Sequence, residues 1–297
     1  MRAYSLLLFS LLTLYSCREL VKDEFPDFQP VPTVNSILVA GELLKVHVSL
    51  AGKLDSNRLA LVDNAAVLLY VNEEYKETLN NIDEGIYSSS IVVEPLITYH
   101  CEVSIPGYQT VSCSEALPEP AKISNIVHTN KAGIDEEGMT YPAITFTFSN
   151  SPAEKQYFEV VIRLFEFGHE SAADLETIID PAILNEGLPI ALFSNDLIAD
   201  STYTMTINYT TGSAGSTNGE PLHANLFPFI LELRSVSYNY YQYIKQLYLY
   251  EKGRYPEFLA GSITASSLYT NIKGGYGIFA GYSSVRSVKI DPNKPAR

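Results

Sequence analysis

Residues 267–282 constrain the fold most, because four glycines and four aromatic residues fall within sixteen positions. Gly274-Gly275 suits a tight turn at positive φ, where a side chain would clash. After it, Tyr276, Ile278 and Ala280 alternate with Gly277, Phe279 and Gly281, which is the period of a β-strand. Glycine inside a strand marks close approach of another backbone. The stretch therefore predicts a closing strand that enters a sheet late and is crowded at its glycines.

Much of the remaining chain reads as strand too. Apolar runs occupy 36–42, 44–50, 65–71, 98–105 and 109–116, and another begins at Gly85-Ile86-Tyr87-Ser88. Six or seven short strands with turns between them predict an immunoglobulin/fibronectin-like β-sandwich over residues 35–117. Leu117-Pro118-Glu119-Pro120 marks the boundary, since two prolines cannot both sit in a ladder. A length of 297 residues suits two domains. The second, residues 118–297, is expected to be mostly antiparallel β, with strands at 123–129, 143–149, 157–167, 190–193, 203–210 and 226–235. Residues 170–186 read as an excursion with one or two helical turns, and 211–220 as a flexible loop. One helix is expected at about 237–252. Ser237 can cap it and Gly253 can end it. Tyr240, Tyr243, Ile244, Leu247, Tyr248 and Glu251 fall on one face. The fold class is thus mainly β, with one helix in the C-terminal half.

The N-terminus carries an address. Arg2 precedes an apolar segment, 6–14, far short of the ~20 residues that span a bilayer. Leu14-Tyr15-Ser16-Cys17 follows as a lipobox, so 1–16 reads as a signal peptide and Cys17 as the lipidated residue. The alternative is ordinary secretion with Cys17 inside the removed peptide. Several acyl chains on one cysteine anchor stably where one chain would not. Residues 17–34, with Pro26, Pro30 and Pro32, read as a tether holding the body off the membrane.

Cys101 and Cys113 flank Pro106-Gly107 in an expected hairpin. A loop centred on Gly107 sets them opposite each other, and a two-residue Pro-Gly turn shifts them one step apart. A disulfide and two buried thiols are both open readings.

The chemistry-bearing patterns are few. The net charge of −14 argues against nucleic acid, which requires a basic stripe. Gly275-Tyr276-Gly277-Ile278-Phe279-Ala280 matches G-x-G-x-x-A, but sixteen residues after Gly281 leave no room for the helix and second strand of a dinucleotide site. Asp135-Glu136-Glu137-Gly138 lacks the spacing of a calcium loop. The histidines, His47, His100, His128, His169 and His223, show no helical zinc spacing. No catalytic residue, metal or cofactor is expected. The helix is dense in tyrosine, and Tyr238, Tyr241, Tyr250 and Tyr276 are the candidates for a surface that meets a partner or a sugar face. The alternative is a helix whose rings sit at the margin of its contact with a sheet.

These features together resemble a family of envelope lipoproteins. They are the lipobox, the hairpin before Leu-Pro-Glu-Pro (117–120), Gln-Tyr-Phe (156–158), Tyr-Asn-Tyr-Tyr-Gln-Tyr-Ile (238–244), Pro-Glu-Phe (256–258) and Thr-Asn-Ile-Lys-Gly-Gly-Tyr-Gly-Ile-Phe-Ala-Gly (270–281). The chain resembles the domain of unknown function family numbered 4249, from Bacteroidetes. The resemblance implies an outer-membrane lipoprotein beside a TonB-dependent transporter, and it carries over no catalytic residue. The expected role is a non-catalytic accessory that captures ligand for that transporter. A structural or adhesive surface protein of fimbrial type is the alternative. An enzyme acting on envelope glycans or peptides comes third.

Overall fold

A computed structural model describes residues 29–52, 60–166, 168–212, 214–215, 223–253 and 268–294. The signal peptide and Cys17, with most of the tether, lie outside the described residues. So do most of the 211–220 loop and Pro256-Glu257-Phe258. By contacts, Met1–Pro30 forms one unit and Val31–Arg297 a second. No described helix is long and apolar enough to cross a membrane.

The protein is mainly β, as its alternation predicts. The first strands are β1 (Pro32–Val39), β2 (Leu43–Leu50), β3 (Ala60–Leu61), β4 (Ala66–Val71) and β5 (Glu74–Thr78). They continue with β6 (Asn80–Asp83), β7 (Ile86–Val92), β8 (Thr98–Ser104) and β9 (Val111–Ala116). Beyond the prolines come β10 (Ile123–Ile134), β11 (Thr140–Ser149), β12 (Tyr157–Glu166), β13 (His169–Ala172) and β14 (Asp174–Leu175). Next are α1 (Pro181–Leu184), β15 (Leu192–Ser194), β16 (Thr202–Thr210), β17 (Ala214–Gly215) and β18 (His223–Ala224). The chain ends with β19 (Phe229–Val236), α2 (Tyr238–Gly253) and β20 (Tyr276–Arg286). Two expectations are corrected. The tether ends before residue 34, because Pro32 already opens β1, a position that a proline tolerates. The 170–186 excursion contains β13 and β14 as well as the single turn α1.

The two expected regions each have a core, and one sheet runs through both. Its order is β13-β12-β19-β20-β1-β2-β7-β6. In the first region it packs on the β5-β4-β8-β9 sheet. Val34 and Leu38 of β1, Val46 and Val48 of β2, and Tyr99, Cys101 and Val103 of β8 fill the space between. In the second region it packs on the sheet of β11 and β16. There Phe158, Ile162 and Leu164 meet Phe146, Phe148 and Ile207. This is sandwich packing, inward residues alternating with outward ones. Residues 117 and 118 are therefore no seam between separate bodies.

β20 makes the join. It runs antiparallel to β19 on one edge and parallel to β1 on the other, from Thr33↔Tyr276 to Val39↔Tyr282. Phe279 enters the first core, while Ile278 and Ala280 on the opposite face pack under α2 with Val236 and Tyr240. The glycines are what let β20 fit. A Cβ at Gly277 would run into the Val34 carbonyl, and one at Gly281 into the Leu38 carbonyl and the Leu117 side chain. Gly274 has φ +82° and Gly277 φ +107°, both in the region that favours glycine.

Candidate functional site

Where the two cores meet, the chain leaves a crevice of about 560 Å³, within the size range of ligand sites. Three elements build it. The end of β9 supplies Glu115 and runs on into Leu117 and Pro118. The 151–156 turn leads into Tyr157 of β12. The end of β19 passes into Ser237 and Tyr238 at the start of α2.

Glu115 holds the first wall to the helix. It stands at an inward position of β9 after Val111 and Cys113, where an acid is costly without partners. One carboxylate oxygen accepts from Ser237 Oγ at 2.7 Å and Asn239 Nδ2 at 3.0 Å, and the other from the Ala116 amide at 3.0 Å. Ser237 caps α2 as expected, its Oγ accepting the Tyr240 amide at 3.3 Å. Tyr269 donates to Asn239 Oδ1 at 2.6 Å. Burial pushes the Glu115 carboxyl above its ordinary range, against the pull of Ser237 and Asn239.

The turn on the second wall is equally braced. Gln156 Oε1 accepts the Ser151 amide at 2.8 Å, and Asn195 Nδ2 donates to the Glu154 carbonyl at 2.8 Å. Lys155 pairs with Asp196 and lies 5.6 Å from the Tyr157 ring centre. Tyr157 touches Tyr238 at 5.6 Å and Tyr241 at 4.5 Å between ring centres. At the rim, Leu96 is 65% exposed and held at φ +61°, with its amide bonded to the Leu117 carbonyl at 2.8 Å. A leucine in left-handed backbone is strained, and such strain concentrates at clamps for ligands.

The tyrosines expected to share one surface do not. Tyr238 lines the crevice and is 52% exposed. Tyr241 is corrected to a packing residue. It is only 7% exposed, donates to Glu186, and sits beneath Lys245, whose Nζ is 2.9 Å from Glu186. The expected helix face missed it because two adjacent positions of α2, Tyr240 and Tyr241, are both buried. Tyr250 lies twelve residues from Tyr238, about 18 Å along the helix. Tyr276, 54% exposed, opens β20 opposite Thr33. Sequence reading missed Leu96, Tyr157 and Glu115. Only Glu115 carried a signal, an acid in the inward register of an alternating strand.

Beside α2 the outer face of the long sheet carries an ion-pair cluster. Glu232 is fully buried and accepts from Arg163 Nε, from Arg234 Nε at 3.2 Å and from Arg286 Nη2 at 3.4 Å. Arg234 also pairs with Glu159 at 2.7 Å and stacks 4.3 Å above the Tyr282 ring. Burial works to raise the Glu232 pKa. The Arg163 hydrogen bond and the Arg234 charge outweigh it and hold the group below its ordinary range.

Cys101 and Cys113 lie directly opposite each other across β8 and β9, as a loop centred on Gly107 requires, and both side chains are buried in the first core. The Asp135 turn is closed by its own side chain, which accepts the Glu137 and Met139 amides. Among the described residues, no three His, Cys, Asp or Glu side chains gather where they could hold a metal ion.

A family model described as Domain of unknown function (DUF4249) matches residues 18–287. No curated protein matches the chain.

Proposed function

Because this chain belongs to the DUF4249 family, we propose that it is a lipid-anchored, non-catalytic accessory of a TonB-dependent transporter in the outer membrane. In this reading Cys17 carries the lipid, and the crevice between the two cores captures ligand for transfer to the transporter. The family match begins at residue 18, one residue after Cys17, which supports a leader ending there. The next fourteen residues would form the tether leading to β1.

The observation that carries the capture role is the crevice itself. Tyr238 and the strained Leu96 present apolar surface to solvent on a braced frame. Rings and an apolar rim suit a ligand with a flat apolar or sugar-ring face. Glu115 is fully engaged in holding the frame, which favours binding over acid–base chemistry. The fimbrial reading needs a strand that can be exchanged between subunits. β1 and β20 are each paired along both edges, so neither is poised to leave.

The test is to isolate the native protein from membranes in mild detergent. Co-purification of a TonB-dependent transporter is expected. Repeated recovery of the lipoprotein alone contradicts the proposal.

A further inference from the structure

We infer that Cys101 and Cys113 join in a cross-strand disulfide as the chain folds, and that this bond fixes the crevice wall that carries Glu115. The two residues are direct antiparallel partners. Opposite residues in such a ladder have Cα atoms about 4.5–5.5 Å apart, inside the range of about 4.4–6.8 Å that a disulfide spans. The backbone spacing of the pair therefore permits the bond. Both side chains belong to the first core, so the sulfurs point into the same space between the sheets, and Cys113 Sγ lies 3.9 Å from the Cys101 carbonyl oxygen.

Burial decides when the bond can form. Both residues are buried, Cys101 at 0% and Cys113 at 2% exposure. Contact with Cys113, and then burial, raise the Cys101 thiol pKa well above its ordinary value. The attacking species in thiol–disulfide exchange is the thiolate. In the folded protein the Cys101 thiolate is scarce, and both sulfurs are buried out of reach of any oxidant. Oxidation therefore belongs to folding, before the hairpin packs, and the finished bond is shielded from reductants in the same way. It is a permanent staple rather than a reversible switch.

The oxidant is a low-molecular-weight disulfide or a thiol–disulfide oxidoreductase. A thiolate of one cysteine opens the oxidant's disulfide and forms a mixed disulfide with it. The second cysteine then displaces that partner. Two protein thiols become one S–S bond, and the oxidant leaves as two thiols carrying the two hydrogens. The staple lies two residues before Glu115, so it holds β9 to β8 where Glu115 grips Ser237 and Asn239.

For the cell, the inference rests on the envelope address proposed above, because disulfides persist in oxidising compartments. The test therefore has two arms. In the first, the full chain carrying Cys17→Ser, which leaves two thiols, is unfolded and reduced, then refolded with oxidised and reduced glutathione. Alkylation under denaturing conditions should find no free thiol. The intact chain should be lighter by two hydrogens, and peptides containing Cys101 and Cys113 should be linked. Its urea midpoint should lie above that of the Cys101→Ala/Cys113→Ala variant. Two alkylatable thiols after refolding overturn the inference. In the second arm, the native protein is isolated from membranes without reductant and mapped the same way. A linked pair supports the staple in the cell. A bond that forms in glutathione but is absent from the native protein overturns the staple there. That result also tells against the envelope address, and it leaves the ligand-capture reading to its own test.

Discussion

Single residues show how an acid can be buried here with opposite consequences. Glu232 has a lowered pKa, so its contribution to stability is present above the ordinary glutamate value of about 4.3 and fades as pH falls through its own lower value. Removing one partner from a buried ion network costs about 3–5 kcal/mol. Glu232→Ala should lose stability of that order at neutral pH by chemical denaturation, with the gap to wild type closing as pH falls below about 4. Glu115 has a raised pKa, and the sign reverses. Its contribution is fullest below about 4.3 and is lost as pH rises through its native value. Glu115→Gln should therefore gain on wild type as pH rises through that window, as followed by thermal melts. A gap that stays constant with pH would contradict the assignment. Glu115 was legible in principle, because it interrupts the inward series Val111, Cys113 and Leu117. Leu96 was not, since nothing in a leucine between a proline and an isoleucine announces left-handed backbone.

Among the elements, strands with one buried face were the legible ones. β4, β8 and β12 alternate cleanly and, with β2, were found close to their true bounds, whereas β11 opens three residues before the expected 143, where consecutive buried residues hide the period. β5 and β6 were missed because Glu74–Thr78 and Asn80–Asp83 are mostly exposed on both faces and carry no apolar period. α2 was legible from its cap and its spacing, although the exact face was not. β20 was legible as a strand crowded at its glycines, and that crowding is measurable. Gly281→Ala places a methyl group against the Leu38 carbonyl, which is backbone and cannot step aside cheaply. Overpacking of this kind costs about 1–3 kcal/mol. The same change at Gly41, which has open space around it, introduces no clash, though its φ of +89° adds backbone strain. A Gly281→Ala protein as stable as wild type would show that β20 does not approach β1 as described.

For the whole molecule, the sequence suggested two domains split at the prolines, and the structure has two cores sharing a sheet. The difference lies in one pairing. β1 and β20 stand more than two hundred residues apart and lie parallel, and no local pattern encodes a partner at that range. The crevice exists because of this pairing, since it lies where the two cores are drawn together. The most direct test is segment-resolved hydrogen exchange on wild type and Gly281→Ala. Protection should fall together in β1 of the first core and β19 of the second, because both pair with that one strand. Loss confined to one core, with the other unchanged, would show two independent domains and contradict the account.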